Sequence, residues 1–220
     1  MDNTGEVVGI PVMPRIGDPA PRFKAVTTHG TVKLEDYKGS WLVLFSHPAD
    51  FTPVCTTEFI GFAGISDELA GRNTKLLGLS IDSVHSHIAW VRNIEEKMGV
   101  KIPFPVIADL NKDVASKYGM VHPNQSNTVA VRCVFVMDPE LIVRAIIYYP
   151  LTTGRNMNEI VRLLDALQTA DQHKVATPAD WRPGDPVIVP PPTTQQDAEE
   201  KVKTPGYECR DWYFCKKKLS

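Results

Sequence analysis

Trp41-Leu42-Val43-Leu44-Phe45-Ser46-His47-Pro48-Ala49-Asp50-Phe51-Thr52-Pro53-Val54-Cys55 passes from a continuous apolar run, through two prolines, into the start of a helix. The run Trp41–Ser46 has the composition of a strand covered on both faces. His47–Pro53 cannot continue it. From about Val54 to Ala70 the apolar Phe59, Phe62, Ala63, Leu69 and Ala70 recur at helical spacing, and Gly71 ends the pattern. Cys55 is therefore expected in a helix's first turn. Lys75–Ile81 reads as a second buried strand. A helix follows whose Ile88, Val91, Ile94 and Met98 share a face and which Gly99 terminates. Phe104–Ala108 is a short strand and Asp113–Tyr118 a short helix before Gly119. Thr128–Met137 and Leu141–Tyr149 form a hairpin around Asp138-Pro139-Glu140. A last amphipathic helix turns Met157, Ile160, Val161, Leu164 and Leu167 inward. Alternating β and α, then a hairpin and a helix, predict an α/β layered domain with a mixed central sheet.

With 220 residues, the chain suits one sizeable core plus an appendage. The expected division is a domain over 1–172 and an extended C-terminal arm over 173–220. Seven of the eighteen prolines lie between Pro178 and Pro205, so that stretch is expected to be non-helical, carrying the segment Tyr207–Ser220. Lys+Arg 24 against Asp+Glu 26 leaves no excess of positive charge to hold phosphate backbones, so no nucleic-acid partner is expected. No apolar run approaches the roughly 18 residues of a membrane span, and the start Met1-Asp2-Asn3-Thr4-Gly5-Glu6 is acidic where a secretory signal is basic. The expected location is cytoplasmic, with no membrane partner. In that compartment thiols stay reduced, so the four cysteines, at 55, 133, 209 and 215, are read as reactive or buried. No C-x-x-C pair exists, which weakens both a dithiol site and a four-cysteine zinc site. His85 and His87, two apart on a predicted helix, point different ways, so neither a metal nor another cofactor is expected.

A thiol with an ordinary pKa of about 8.5 is only a few per cent ionised at neutral pH, and the thiolate is the nucleophile. A helix N-terminus contributes about 1–2 kcal/mol towards ionisation. Bringing a thiol to about 6 takes roughly 3.4 kcal/mol, so a cation is required as well. Alternation along Thr128–Met137 places Arg132 on a face with Thr128, Ala130, Val134 and Val136. A guanidinium there is costly unless paired, which points to a thiolate or a carboxylate partner; an edge strand whose arginine reaches solvent is the equal alternative. Thr52 suits an N-cap as well as a place in the site. Cys133, on the opposite face from Arg132, reads as a small buried hydrophobe.

Ser46-His47-Pro48-Ala49-Asp50-Phe51-Thr52-Pro53-Val54-Cys55-Thr56-Thr57-Glu58 resembles the active-site signature of the peroxiredoxins, in particular the one-cysteine, peroxiredoxin-6-type subgroup. Tyr149-Pro150-Leu151-Thr152-Thr153-Gly154-Arg155-Asn156 and Ala176-Thr177-Pro178-Ala179-Asp180-Trp181 resemble two further segments of it, so the likeness spans roughly residues 15 to 190. The resemblance implies a thioredoxin-like fold and reduction of hydrogen peroxide and organic hydroperoxides. It also implies a peroxidatic Cys55 in a pocket completed by Pro48, Thr52 and Arg132. Attack on a peroxide builds negative charge on the departing oxygen, so hydrogen bonds to both oxygens must stabilise the transition state. Thr52 would bond to the sulfur and the peroxide, the Cys55 N–H and Arg132 would polarise the oxygens, and Pro48 would exclude water and shield the resulting sulfenic acid. Glu58 and Arg155 are expected to buttress Arg132, the simpler role for Glu58 being an acid in a helix's first turn. His47 adjoins the site and is expected to be satisfied by local hydrogen bonds.

One-cysteine members typically lack a resolving thiol, whereas here Cys209 and Cys215 stand near the end of a long arm, as in archaeal-type members. The resemblance implies that Cys215, or secondarily Cys209, condenses with the Cys55 sulfenic acid, in trans. A thioredoxin-like or other thiol reductant then recycles the enzyme. The alternative is a static Cys209–Cys215 disulfide or two idle thiols. Trp212, Tyr213 and Phe214 would anchor the tail on another subunit. A homodimer is implied, with a ring of five dimers as the larger assembly. Lys38-Gly39-Ser40-Trp41-Leu42 lacks both glycines of the lipase-like G-x-S-x-G of mammalian relatives, so no phospholipase activity is expected. A redox-switched holdase or peroxide sensor would use the same sulfur. A disulfide oxidoreductase ranks last for want of C-x-x-C.

Overall fold

A computed structural model describes residues 13–219; the acidic stretch Met1–Glu6 lies outside the described residues. The chain divides into two compact units, 1–155 and 156–220. The predicted strand is β3 (Trp41–Ser46), in which every residue is buried. It ends at the His47-Pro48 break, and α1 (Pro53–Gly64) begins with a proline at its first position, where a missing N–H costs nothing.

Around β3 the first unit builds a seven-stranded mixed sheet. Its other strands are β1 (Lys24–Thr27), β2 (Gly30–Lys33), β4 (Thr74–Ser80), β5 (Val106–Ala108), β6 (Arg132–Met137) and β7 (Val143–Tyr149), in the order β2-β1-β5-β4-β3-β6-β7. β3 runs parallel to β4 and β4 to β5, while β6 pairs antiparallel with both β3 and β7. Gly78 of β4 sits where a Cβ would come within 3.3 Å of the Phe45 ring, so a side chain here would push that ring by a few tenths of an ångström. One core layer joins Leu42, Leu44, Leu77, Leu79, Phe135 and Met137 to Tyr118 and Phe23. At the other face Phe45 stacks on Phe62, with ring centroids 3.8 Å apart.

Several expectations are corrected. The helix read over Val54–Ala70 is two, α1 and α2 (Ser66–Ala70), broken at Ile65 beside Gly64, with the Ser66 hydroxyl donating to the Ala63 carbonyl. The hairpin β1–β2 lies in a segment for which the sequence reading offered no element; its strands are only four residues long and largely exposed, which leaves no alternation to detect. α3 (Val84–Met98) ends at Gly99 with φ 70°, as read, yet its inward face is His87, Trp90 and Ile94, while Ile88 and Met98 are exposed. β6 begins at Arg132 rather than Thr128, because the Ser126 hydroxyl captures the Thr128 and Val129 N–H groups in a local turn. The short helix is α4 (Asp113–Lys117).

In the second unit, α5 (Met157–His173) carries the predicted amphipathic pattern, with Asn156 accepting from the N–H groups of Asn158 and Glu159. The arm is not uniformly extended. A three-stranded sheet, β8 (Val187–Ile188), β9 (Glu208–Asp211) and β10 (Phe214–Lys217), has the order β8-β10-β9, and α6 (Gln195–Lys201) lies between two proline groups. The window 193–204 holds no proline, and Thr194 caps it by accepting from the Asp197 N–H. The Lys201 ammonium donates to the carbonyls of Val189 and Pro190, tying α6 to the segment that follows β8. Ala166, Val175, Trp181 and Val187 form a small core here.

Candidate active site

Cys55 is the third residue of α1 and fully buried. One buried side chain reaches its sulfur, and two more brace that one. Arg132, first residue of β6 and 3% exposed, donates from Nη1 to Cys55 Sγ at 3.3 Å and to Glu58 Oε2 at 2.6 Å. From Nε and Nη2 it donates to the Leu151 carbonyl, at 3.1 and 2.9 Å. The fork is thus fixed on three sides, and the paired reading of Arg132 replaces the solvent-reaching one.

Glu58 lies one helical turn beyond Cys55, so both face β6. Its Oε1 accepts from the Arg155 N–H at 2.9 Å and Nε at 2.8 Å, and its Oε2 from Arg155 Nη2 at 2.7 Å as well as from Arg132. Burial raises the Glu58 carboxyl, but the charge and hydrogen bonds of Arg155, then the charge of Arg132, outweigh it and hold the group below the usual carboxylate range. Arg155 Nη1 donates to the carbonyls of Ser46 and Cys133, both at 2.9 Å, and its guanidinium carbon lies 5.2 Å from the centroids of Phe45 and Phe62. Two buried guanidinium ions share one carboxylate. The surplus positive charge faces the sulfur, with Arg132 Nη1 aimed at Sγ.

Pro48 is buried. Thr52 occupies the N-cap position of α1 with extended backbone, but its hydroxyl makes no cap bond and donates to the Ala49 carbonyl at 2.9 Å. The hydroxyl-cap expectation is therefore corrected: the 48–52 turn takes the proton, leaving the oxygen's lone pairs. Phe51, with φ 53° and an exposed side chain, is the strained residue of that turn. His47 is held by a local hydrogen bond, its Nε2 lying 2.9 Å from Asp50 Oδ1. Its Nδ1 is buried without a hydrogen-bond partner among the described residues.

Three participants escaped the sequence reading. The Leu151 carbonyl is backbone and carries no side-chain signal. Asp50 and His87 join His47 in a buried cluster that depends on a contact 37 residues apart in sequence. Burial raises Asp50, but the hydrogen bonds and charges of His47 and His87 hold it well below the usual carboxylate range; burial lowers His47, opposed by Asp50.

Cys133 is buried, as read, with Sγ 3.1 Å from the Ser46 hydroxyl. Burial pushes its thiol up to about 11 against the opposing effect of Ser46 and Arg155. Cys209 and Cys215 are bonded to each other across β9 and β10, leaving Cys55 and Cys133 as the free thiols among the described residues. Trp212, Tyr213 and Phe214 at that hairpin's turn are exposed.

Residues 16–146 match the AhpC/TSA family and residues 166–204 the C-terminal domain of 1-Cys peroxiredoxin. A peroxiredoxin from Aquifex aeolicus is 61% identical over 218 residues, covering 94% of this chain and 98% of its own length. The chain belongs to the peroxiredoxin family. This peroxiredoxin is similar in structure to a yeast mitochondrial 1-Cys peroxiredoxin, with a TM-score of 0.85 and 43% identity over 94% of this chain and all of the other. It is also similar to a mutant of the peroxiredoxin 6 of Arenicola marina, with a TM-score of 0.84 and 38% identity over 94% and 98%. The fold is thioredoxin-like, as expected, and the peroxiredoxin is a thiol peroxidase. Among the described residues no helix is long and apolar enough to cross a membrane.

Proposed function

We propose that Cys55 is the peroxidatic sulfur for hydrogen peroxide and organic hydroperoxides, and that Pro48, Thr52 and Arg132 shape the peroxide's place. The carrying observation is the Arg132 Nη1 hydrogen bond to Cys55 Sγ, backed by the Glu58 and Arg155 network. The thiolate's electron pair attacks the nearer peroxide oxygen and the O–O bond breaks. Cys55 becomes a sulfenic acid, and the departing oxygen takes up a proton to leave as water or an alcohol. Arg132 stabilises the charge that grows on that oxygen, and the Thr52 lone pairs accept the peroxide's hydrogen bond. Because Cys55 is fully buried, peroxide entry involves a local opening of the 48–52 turn.

Resolution falls to Cys215, with Cys209 second. The tail thiolate attacks the sulfenic sulfur, the S–O bond breaks, water leaves and a Cys55 disulfide forms. Attack by the other tail thiol then frees Cys55 and leaves the Cys209–Cys215 bond, the pairing present in the structure. A thioredoxin-like or other dithiol reductant supplies two electrons and two protons to reopen it. In this reading residues 1–172 act as the peroxidase domain and 173–220 as the arm that delivers the thiol. The arm acts across a homodimer, which a ring of five dimers extends, in the cytoplasm.

The test is hydrogen peroxide consumption supported by dithiothreitol and, separately, by thioredoxin with its reductase. Cys55→Ser should lose both rates, whereas Cys215→Ser or Cys209→Ser should keep the dithiothreitol rate and lose the thioredoxin rate. Full thioredoxin-supported turnover in both tail variants would remove the resolving role, and a single turnover without recycling would favour a sensor.

A further inference from the structure

The turn that carries Pro48 and Thr52 is fixed from outside the sulfur site by a buried polar cluster. Asp50, 7% exposed, faces two fully buried histidines. His87 Nε2 lies 3.0 Å from the Ile107 carbonyl, which only accepts, so this nitrogen carries a proton. His87 Nδ1 lies 3.0 and 2.8 Å from the two Asp50 carboxylate oxygens, which accept as well, so this nitrogen also carries a proton. His47 Nε2 donates to Asp50 Oδ1, leaving Nδ1 as a bare acceptor. The Asp50 N–H donates to Asp82 Oδ2 at 3.1 Å, and that oxygen accepts from the Ser80 hydroxyl at 2.6 Å. The next residue is Phe51 with φ 53°, a conformation that persists only where its neighbours over-determine it.

We propose that His87 is a positioning residue for the peroxidatic turn: donating from both ring nitrogens, it clamps the Asp50 carboxylate to α3 and to the Ile107 carbonyl of β5, and so holds Pro48 and Thr52 in place. This rests on the reading of Cys55 as the peroxidatic sulfur. A divalent cation is the other occupant the cluster suggests, since its ligand atoms lie within 4.8 Å of one another. Ligation through His47 Nε2 would move that ring's proton to Nδ1, where a buried N–H finds no acceptor. The doubly protonated His87 leaves no such orphan donor.

The experiment has two arms. In full-length protein labelled with 15N, long-range correlations of the histidine rings should show protons on both nitrogens of His87 and on one nitrogen of His47; a single ring proton on His87 would overturn the proposal. In the kinetic arm, His87→Asn places an amide nitrogen near the Nδ1 position and keeps the Asp50 bond, whereas His87→Gln reaches towards Ile107 and loses it. The second-order rate of Cys55 oxidation should stay near wild type in His87→Asn and fall roughly tenfold or more in His87→Gln, the worth of a hydrogen bond to a charged group. Equal rates in the two variants would overturn the positioning role, because mere filling of the cavity makes no such distinction. Absence of any Cys55 oxidation in wild type would overturn the functional reading instead, while the ring-proton pattern still decides the geometry of His87.

Discussion

Replacing Glu58 with glutamine perturbs the site at the point where both buried arginines depend on one carboxylate. The two carboxylate oxygens accept four hydrogen bonds, two each: Oε1 from Arg155 N and Nε, Oε2 from Arg132 Nη1 and Arg155 Nη2. Whichever way a glutamine amide is turned, its NH2 group meets two donors, and the one negative charge shared by two guanidinium ions is gone. Removing one partner of a buried ion pair costs about 3–5 kcal/mol. At roughly 2–4 °C per kcal/mol for a chain of this size, that is a fall in melting temperature of roughly 6–20 °C. Arg132 also loses the bond that aims it at the sulfur, and misplacement of a catalytic group by about 1 Å costs roughly a hundredfold in rate. Urea unfolding followed by tryptophan fluorescence, and stopped-flow peroxide reduction, read the two effects. The Glu58 carboxyl is depressed in the folded state, so its stabilisation is present above the unfolded value near 4.5 and is lost as pH falls through the lower folded value. Wild type should therefore lose stability in that acid window by a component that Glu58→Gln lacks. A variant within about 1 kcal/mol of wild type, with an unchanged rate, would refute the coupling of the ion network to the sulfur.

Arg132→Lys keeps one charge but replaces a fork that reaches Cys55, Glu58 and Leu151 together, so the second-order rate with hydrogen peroxide should drop by roughly 10²–10³-fold in competition kinetics. Cys133, with its thiol pushed up to about 11, should resist iodoacetamide in the native reduced protein at pH 7.5 and react only after denaturation, as read by peptide mass spectrometry. Arg155→Met leaves Glu58 with the Arg132 guanidinium and the backbone N–H of residue 155 as its partners, and takes the Arg155 donor away from the Ser46 and Cys133 carbonyls; a lowered urea midpoint and a slower Cys55 are expected together.

Cys55's place was legible because an apolar strand, a proline break and a proline-led helix follow one another within a few residues, and each carries a local signal. Arg132 was legible as a charge on an apolar face, but alternation alone left a buried pair and a solvent-reaching edge strand as equal alternatives. What the sequence could not convey was the arrangement of Glu58, Arg132 and Arg155, since α1, β6 and the segment after β7 meet only through the sheet. The inward face of α3 was misread because aliphatic Ile88 and Met98 looked like the core stripe, while His87 enters the interior only with Asp50 to meet its proton. α6 was hidden by a proline count taken over a stretch whose proline-free window was long enough for a capped helix. The pairing of Cys209 with Cys215 was left open because spacing alone does not distinguish a hairpin disulfide from two free thiols.

The most direct test traps the oxidised sulfur. One equivalent of hydrogen peroxide is added to reduced Cys209→Ser/Cys215→Ser protein in the presence of dimedone, and the adduct is located by peptide mass spectrometry. The adduct should appear on Cys55 in proportion to peroxide consumed and vanish in the Cys55→Ser background. Peroxide consumed with the adduct on Cys133, or with none on Cys55, would contradict a peroxidase built on the Cys55 sulfenic acid.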